Sequence, residues 1–279
     1  MGIGIPTLNL TLSLWKDGWF DNFDSVIELG SQDLHAPQDE IGLVFNKLLK
    51  LPLPANERSY TPKLFYYGMG FKHYQCIDMD GRYNALVFDL NKDISMEYDF
   101  RQTFNLVTNH GTSEHCFNQA KVFQNVHNLC SPGGIMLHAL PFQGYLNHGF
   151  FNYQPCFFRY LAEANNYHLI GLYLNIDSEI GDVSTYSDEL MNHLTLMPNA
   201  TMLLFAVLQK SEDDLFHLPF DGKYLGHAKA TYKFQKTPTR FFIADPFDII
   251  NHVPGRLLVQ NLWQRIKNRI AYLIVYRKR

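Results

Sequence analysis

Residues 25–33 read SVIELGSQD: three β-branched or apolar side chains around one glutamate, a glycine at position 30, then three polar positions. Val26, Ile27 and Leu29 give this run a strand signal, and Gly30 stops it. Over 39–51 the apolar positions Ile41, Val44, Phe45, Leu48 and Leu49 recur at steps of three and four, with Asp39 and Glu40 placed for a first helical turn. That spacing predicts an amphipathic helix, so the chain opens as strand, loop and helix.

The same alternation continues downstream. Short strand candidates follow at 74–77, 85–88, 104–108, 134–140, 168–174 and 201–208, about seven in all, with helical patterns at 114–129 and 155–166. Strands alternating with helices predict an α/β fold, a mostly parallel Rossmann-like sheet with helices on both faces. Between the first helix and the second strand, 51–73 is rich in Pro, Tyr and Gly and reads as a lid or insertion. One domain is expected over 1–209. Beyond it, 210–279 is a C-terminal extension ending in an amphipathic helix from about Leu257.

Composition removes several classes of function. A net charge of −3 gives no global attraction to nucleic acid, and 46% hydrophobic against 18% charged residues suits a folded globular chain. Cys76, Cys116, Cys130 and Cys156 lack CxxC spacing, which argues against a structural zinc site, a redox pair or a secreted disulfide framework. No basic leader precedes an apolar stretch, and no run approaches the roughly 18 apolar residues of a membrane span. A cytoplasmic location is the expectation.

In open parallel sheets ligands collect beyond the carboxyl ends of the strands, where the strand order reverses. The residues following each proposed strand are polar in a consistent way: Glu28 with Gly30, Ser31 and Asp33; Asp78 and Asp80 before Gly81; Asp89, Leu90 and Asn91; then Asn109, Gly111 and on to His115. Glycine admits close backbone approach, an acid at the second strand end accepts from ribose hydroxyls, and Asp89 with a neighbouring backbone N–H suits adenine. Asp78, directly at the strand end, is preferred over Asp80 for the ribose.

At ELGSQD (28–33) the chain resembles the ExGxxD form of the first motif of class I S-adenosylmethionine-dependent methyltransferases, and CSPGGIMLHALPF (130–142) is similar to their PGG turn and fifth strand. The resemblance covers roughly 24–209. It implies a seven-stranded sheet in which 201–208 inserts, antiparallel, beside 168–174. It also implies S-adenosylmethionine as cofactor, held by Glu28, Gly30, Ser31, Asp33, Asp78, Asp89, Leu90, Asn109 and Gly111. Two departures stand out: no second or third glycine follows Gly30, and the distance from Glu28 to Asp78 requires an insertion.

Methyl transfer to a hydroxyl is helped by a base with a pKa near neutrality, which histidine meets without tuning. His148, in NHGFFNY (147–153) after the fifth strand, is the first candidate and His115 the second. Methyl transfer to a hydroxyl, less favourably an amine, of a small molecule or glycan is the expected activity. The aromatics of 60–71 and 150–153 would shape the acceptor pocket. The rivals are a nicotinamide-dependent oxidoreductase, for which GxGxxG is missing, and a non-catalytic nucleoside-binding module. The spacing of His110, Glu114, His115 and His148 matches neither HExxH nor a facial triad, so no metal is expected. For the C-terminal helix, docking on the protein or on a second subunit is the plainer reading. Peripheral membrane contact, suggested by the terminal Arg277, Lys278 and Arg279, is the sharper one.

Overall fold

The residues that decided the strand reading also decide the layering. In β2 (Ser25–Leu29) Val26 joins one apolar cluster and Ile27 and Leu29 join another, so the strand is buried on both faces. A computed structural model describes residues 2–36, 38–50, 60–176, 183–187, 201–221 and 243–244. Around β2 it sets β4 (His73–Ile77), β5 (Phe104–His110), β6 (Cys130–Gln143), β7 (His168–Ile176), β8 (Val183–Thr185), β9 (Met202–Gln209) and β10 (Ile243–Ala244) in one sheet of order β10-β8-β7-β9-β6-β5-β2-β4. A separate short pair joins β1 (Ile3–Gly4) to β3 (Leu34–His35).

From β4 through β2 and β5 to β6 the pairing is parallel. β9 then runs antiparallel between β6 and β7, the insertion expected for 201–208. Chain order reverses at β2, whose neighbours are β4 on one side and β5 on the other. The crevice for a ligand therefore lies outside the carboxyl ends of β2, β4 and β5.

One face is covered by α5 (Gln119–Leu129) and α6 (Pro155–Ala164), which bury Val122, Phe123, Val126, Phe158 and Leu161. The other is covered by α1 (Ile5–Lys16), by α2 (Gln38–Leu43) with its π-helical continuation Val44–Leu48, and by α3 (Pro62–Gly68). Each large apolar side chain buried this way contributes about 1.5–3 kcal/mol.

Four expectations are revised. First, residues 85–88 do not form a strand: a single bridge joins Leu86 to Ile77, because Tyr83 and Asn84 take left-handed backbone (φ 56° and 59°) and turn the chain off the sheet edge. Second, the helix expected over 114–129 is a 3₁₀ turn, Ser113–His115, followed by α5. Asn118 separates them by capping α5, its side chain accepting from the Lys121 N–H. Third, the aromatic stretch read as a lid is largely core over its described part: Phe65, Tyr66 and Phe71 are buried on α3 and the turn after it. Fourth, α1 is an element the sequence reading did not anticipate. The C-terminal helix expected from Leu257 lies outside the described residues; among the described residues no helix is long and apolar enough to cross a membrane.

Candidate active site

The tip of β2 is built around Gly30. Its φ of 94° is open to glycine, and a Cβ there would meet Gln32 Nε2 at 2.4 Å and Thr112 Oγ1 at 2.5 Å. Gln32 Nε2 and Thr112 Oγ1 both donate to the Leu29 carbonyl, at 2.9 and 2.7 Å, which ties the β2 and β5 loops together. Gln32 Oε1 is buried and has no hydrogen-bond partner.

Asp78, at the tip of β4, reaches across to this loop: its carboxylate accepts from the Ser31 N–H at 2.7 Å and from the Asp80 N–H at 3.1 Å. Ser31 Oγ donates to Asp80 at 2.9 Å. Asp33 sits at the outer rim, where it takes an ion pair from Arg82 at 3.0 Å and a short hydrogen bond from the Tyr83 hydroxyl. Partial burial opposes ionisation of Asp33, but those two bonds outweigh it and hold the carboxyl below its usual range. Asp89 accepts from both the backbone and side-chain N–H groups of Asn91 at 2.9 Å, and those bonds lower its pKa. Leu90 beside it is buried.

Two of the expected cofactor residues are spent inside the fold. Glu28 is fully buried on the α3 side, its two oxygens accepting from the Tyr66 and Tyr74 hydroxyls at 2.9 and 2.7 Å. Burial pushes its carboxyl up to about 7 against the pull of those bonds. Asn109 is buried and closes the turn after β5, accepting from the Ser113 N–H at 3.1 Å and donating to Ser113 Oγ at 2.9 Å. Gly111, at φ 74°, completes that turn. Glu28 and Asn109 therefore position the tips instead of offering direct contacts to a ligand.

Past β5 and β6 the two loops lock by backbone: the Phe150 N–H donates to the Glu114 carbonyl at 2.8 Å, and a Cβ on Gly149 would strike Glu114 Cγ at 2.9 Å. This brings together residues 34 positions apart. His115 Nε2 and His148 Nε2 lie 3.8 and 3.7 Å from Glu114 Oε1, with ring centroids 5.0 Å apart. Spacing along the chain argued against such a cluster, but the tertiary contact of the two loops creates it. Burial pushes the Glu114 carboxyl up to about 7, lowers His148, and lowers His115 with help from His148. His110, by contrast, is wholly buried and stands apart from the cluster.

Cys116 connects the two halves. Its thiol is pushed up to about 11, first by burial and then by the carboxylates of Asp89, Glu114 and Asp78. Sequence reasoning missed Cys116, Gln32, Thr112 and Arg82; of these Gln32 and Thr112, inside the polar runs after β2 and β5, carried a signal. On the outer side the exposed rings of Phe117 and Phe150 meet at 6.0 Å. Beyond them a cleft of about 420 Å³ is lined by Gln119, Phe151, Tyr153, Cys156, Phe157 and Tyr160.

A switch between β2 and β5, acids at the β4 tip and in the loop after it, and β9 inserted antiparallel between β6 and β7 define one architecture. It is a Rossmann-like α/β fold. No protein-family model matches the sequence, and no similar curated protein is found. Solved structures with a similar fold include the N-methyltransferase NodS from Bradyrhizobium japonicum in complex with S-adenosyl-L-homocysteine, at 14% identity and TM-score 0.40 over 74% of this chain and 86% of that one. They also include TehB from Haemophilus influenzae, at 9% identity and TM-score 0.41 over 71% of this chain and 60% of that one. A third is the O-methyltransferase of a trans-AT PKS multienzyme of Brevibacillus brevis, in complex with S-adenosyl-L-homocysteine, at 11% identity and TM-score 0.39 over 73% and 72% of the two chains. At such identities the likeness is one of fold.

Proposed function

We propose that the chain is an S-adenosylmethionine-dependent methyltransferase acting on a hydroxyl, or less favourably an amine, of a small molecule or glycan. The observation that carries this reading is the Asp78 carboxylate at the β4 tip, held by the Ser31 N–H at 2.7 Å beside the glycine tip of β2. When bound, the cofactor supplies an electrophilic methyl group on a sulfonium centre.

The residues present suit such a ligand. Gln32 Oε1, a buried acceptor without a partner, lies in the Gly30 loop, where a cationic amino-acid end needs acceptors. Gln32 and Thr112 fill the space over Gly30, and Gln32 would exchange its bonds to the Leu29 carbonyl and Thr112 for bonds to the ligand as it turns aside. Asp78 is held toward the crevice by backbone donors, in place for ribose hydroxyls, and Asp89 with the Leu90 N–H suits the adenine edge.

On the other side of Cys116, Glu114, His115 and His148 receive the acceptor. With the cofactor bound, these residues would orient the acceptor oxygen and take up its proton. Phe117 and Phe150 give an apolar rim on which a ring or sugar face can stack.

Calorimetry with S-adenosylmethionine, S-adenosylhomocysteine and NADH tests the cofactor. The adenosyl ligands should bind, and Asp78→Ala should weaken them about 10- to 100-fold, the worth of a charged hydrogen bond. Binding of NADH alone would refute the proposal.

A further inference from the structure

Glu114, His115 and His148 each offer one ligand atom, and the three atoms lie within 4.8 Å of one another. Glu114 is the unusual member. Its side chain is fully buried, and neither carboxylate oxygen has a hydrogen-bond partner. An orphaned buried carboxylate costs several kcal/mol unless a cation covers it. His148 Nε2 is buried and likewise unpartnered.

The spacing identifies the cation. At 3.7 and 3.8 Å the two imidazole nitrogens are too far from Glu114 Oε1 to hydrogen-bond with it. Ligands about 2.1 Å from a shared ion stand roughly 3.0–3.4 Å apart, so a few tenths of an ångström close each Glu114–histidine pair, and a side-chain rotation of up to about 1.4–1.8 Å closes the two imidazoles, whose ligand atoms lie within 4.8 Å. Two imidazoles and one carboxylate are borderline donors suited to zinc, iron or cobalt, whereas magnesium and calcium prefer oxygen throughout. His115 is about half exposed, which leaves its side of the cluster open for further ligands.

We propose that Glu114, His115 and His148 form a binding site for a divalent first-row transition-metal ion, with three protein ligands and open positions facing the acceptor. Binding of the ion stands by itself; its task in catalysis rests on the methyltransferase reading. A hydroxyl coordinated there loses its proton to solvent near neutral pH, leaving the oxygen charged for attack, and the histidines then act as ligands.

Cobalt(II) titrated into the full chain reads the site directly through its visible d–d absorption and bound stoichiometry. One equivalent is expected, with both the band and the affinity reduced tenfold or more in His115→Ala and in His148→Ala. His115 is exposed enough that its removal leaves the core intact, and circular dichroism of both variants checks their folding. Absence of the band, or its persistence in either folded variant, overturns the proposal. Asp78→Ala supplies the separation from the cofactor reading: it should weaken S-adenosylmethionine and leave the cobalt spectrum unchanged.

Discussion

Glu28→Gln tests how the first strand tip is held. In the folded chain the Glu28 carboxyl is fully buried and moves from 4.5 to about 7. Because the folded state keeps its proton to higher pH than the unfolded state, the folded state is favoured at low pH, and this advantage is lost between pH ~4.5 and ~7 as the unfolded chain ionises first. At 1.36 kcal/mol per pH unit, the ionised form costs about 3 kcal/mol above pH ~8. Glutamine removes the charge, keeps one acceptor for Tyr66 or Tyr74, and presents an amide donor to the other phenol at a loss of about 1 kcal/mol. The net gain at pH 8 is about 2 kcal/mol, worth roughly 4–8 °C in Tm, and it should shrink or reverse at pH 5. Denaturant melts of both proteins at pH 5, 6, 7 and 8 measure the difference, in which every other titrating group cancels. Parallel pH profiles would refute the claim that Glu28 is buried at a cost.

Three further outcomes follow from single contacts. Gly30→Ala should unfold the β2 tip or abolish cofactor binding in calorimetry, since the new methyl meets Gln32 and Thr112 at 2.4 and 2.5 Å on a backbone of φ 94°. His110→Leu should shift acid unfolding to lower pH: burial depresses His110 to about 3, so stability is lost as pH falls from 6.5 toward 3, and leucine removes that loss. Lys210→Met should destabilise the chain by about 1–3 kcal/mol in urea melts, because the buried ammonium donates to the His127 and Cys130 carbonyls at 3.1 and 3.0 Å and both would lose that bond.

The sheet was legible because its central strands are buried on both faces and punctuated at their ends. β2, β6 and β9 need only apolar runs bounded by Gly30, the PGG turn and Lys210. α1 escaped for the opposite reason. Leu8, Leu10, Leu12 and Leu14 alternate with Thr7, Asn9 and Thr11, and all seven are buried, so no polar face exists to reveal a helical period. The tips were legible in kind but not in orientation. Glu28 and Asp78 both stand at strand ends, yet the pleat turns Glu28 toward Tyr66, whereas Asp78 follows the last paired residue of β4 and reaches Ser31. The Glu114, His115 and His148 cluster could not be read from spacing, because it forms only where the loops after β5 and β6 touch.

The charge pattern of the crevice joins these observations. The Cys116 thiol is raised first by burial and then by the carboxylates of Asp89, Glu114 and Asp78, while Arg82 is paired with Asp33 and Asp80, and Lys92 with Glu97. Carboxylates gathered in a partly buried space repel one another unless positive charge enters. On the proposed reading a sulfonium with an ammonium end would answer Asp78 and Asp89, and a divalent ion would answer Glu114. Once the methyl group had left, the thioether product would carry one positive charge fewer, so the same acids would hold it less tightly than the substrate and favour its exchange.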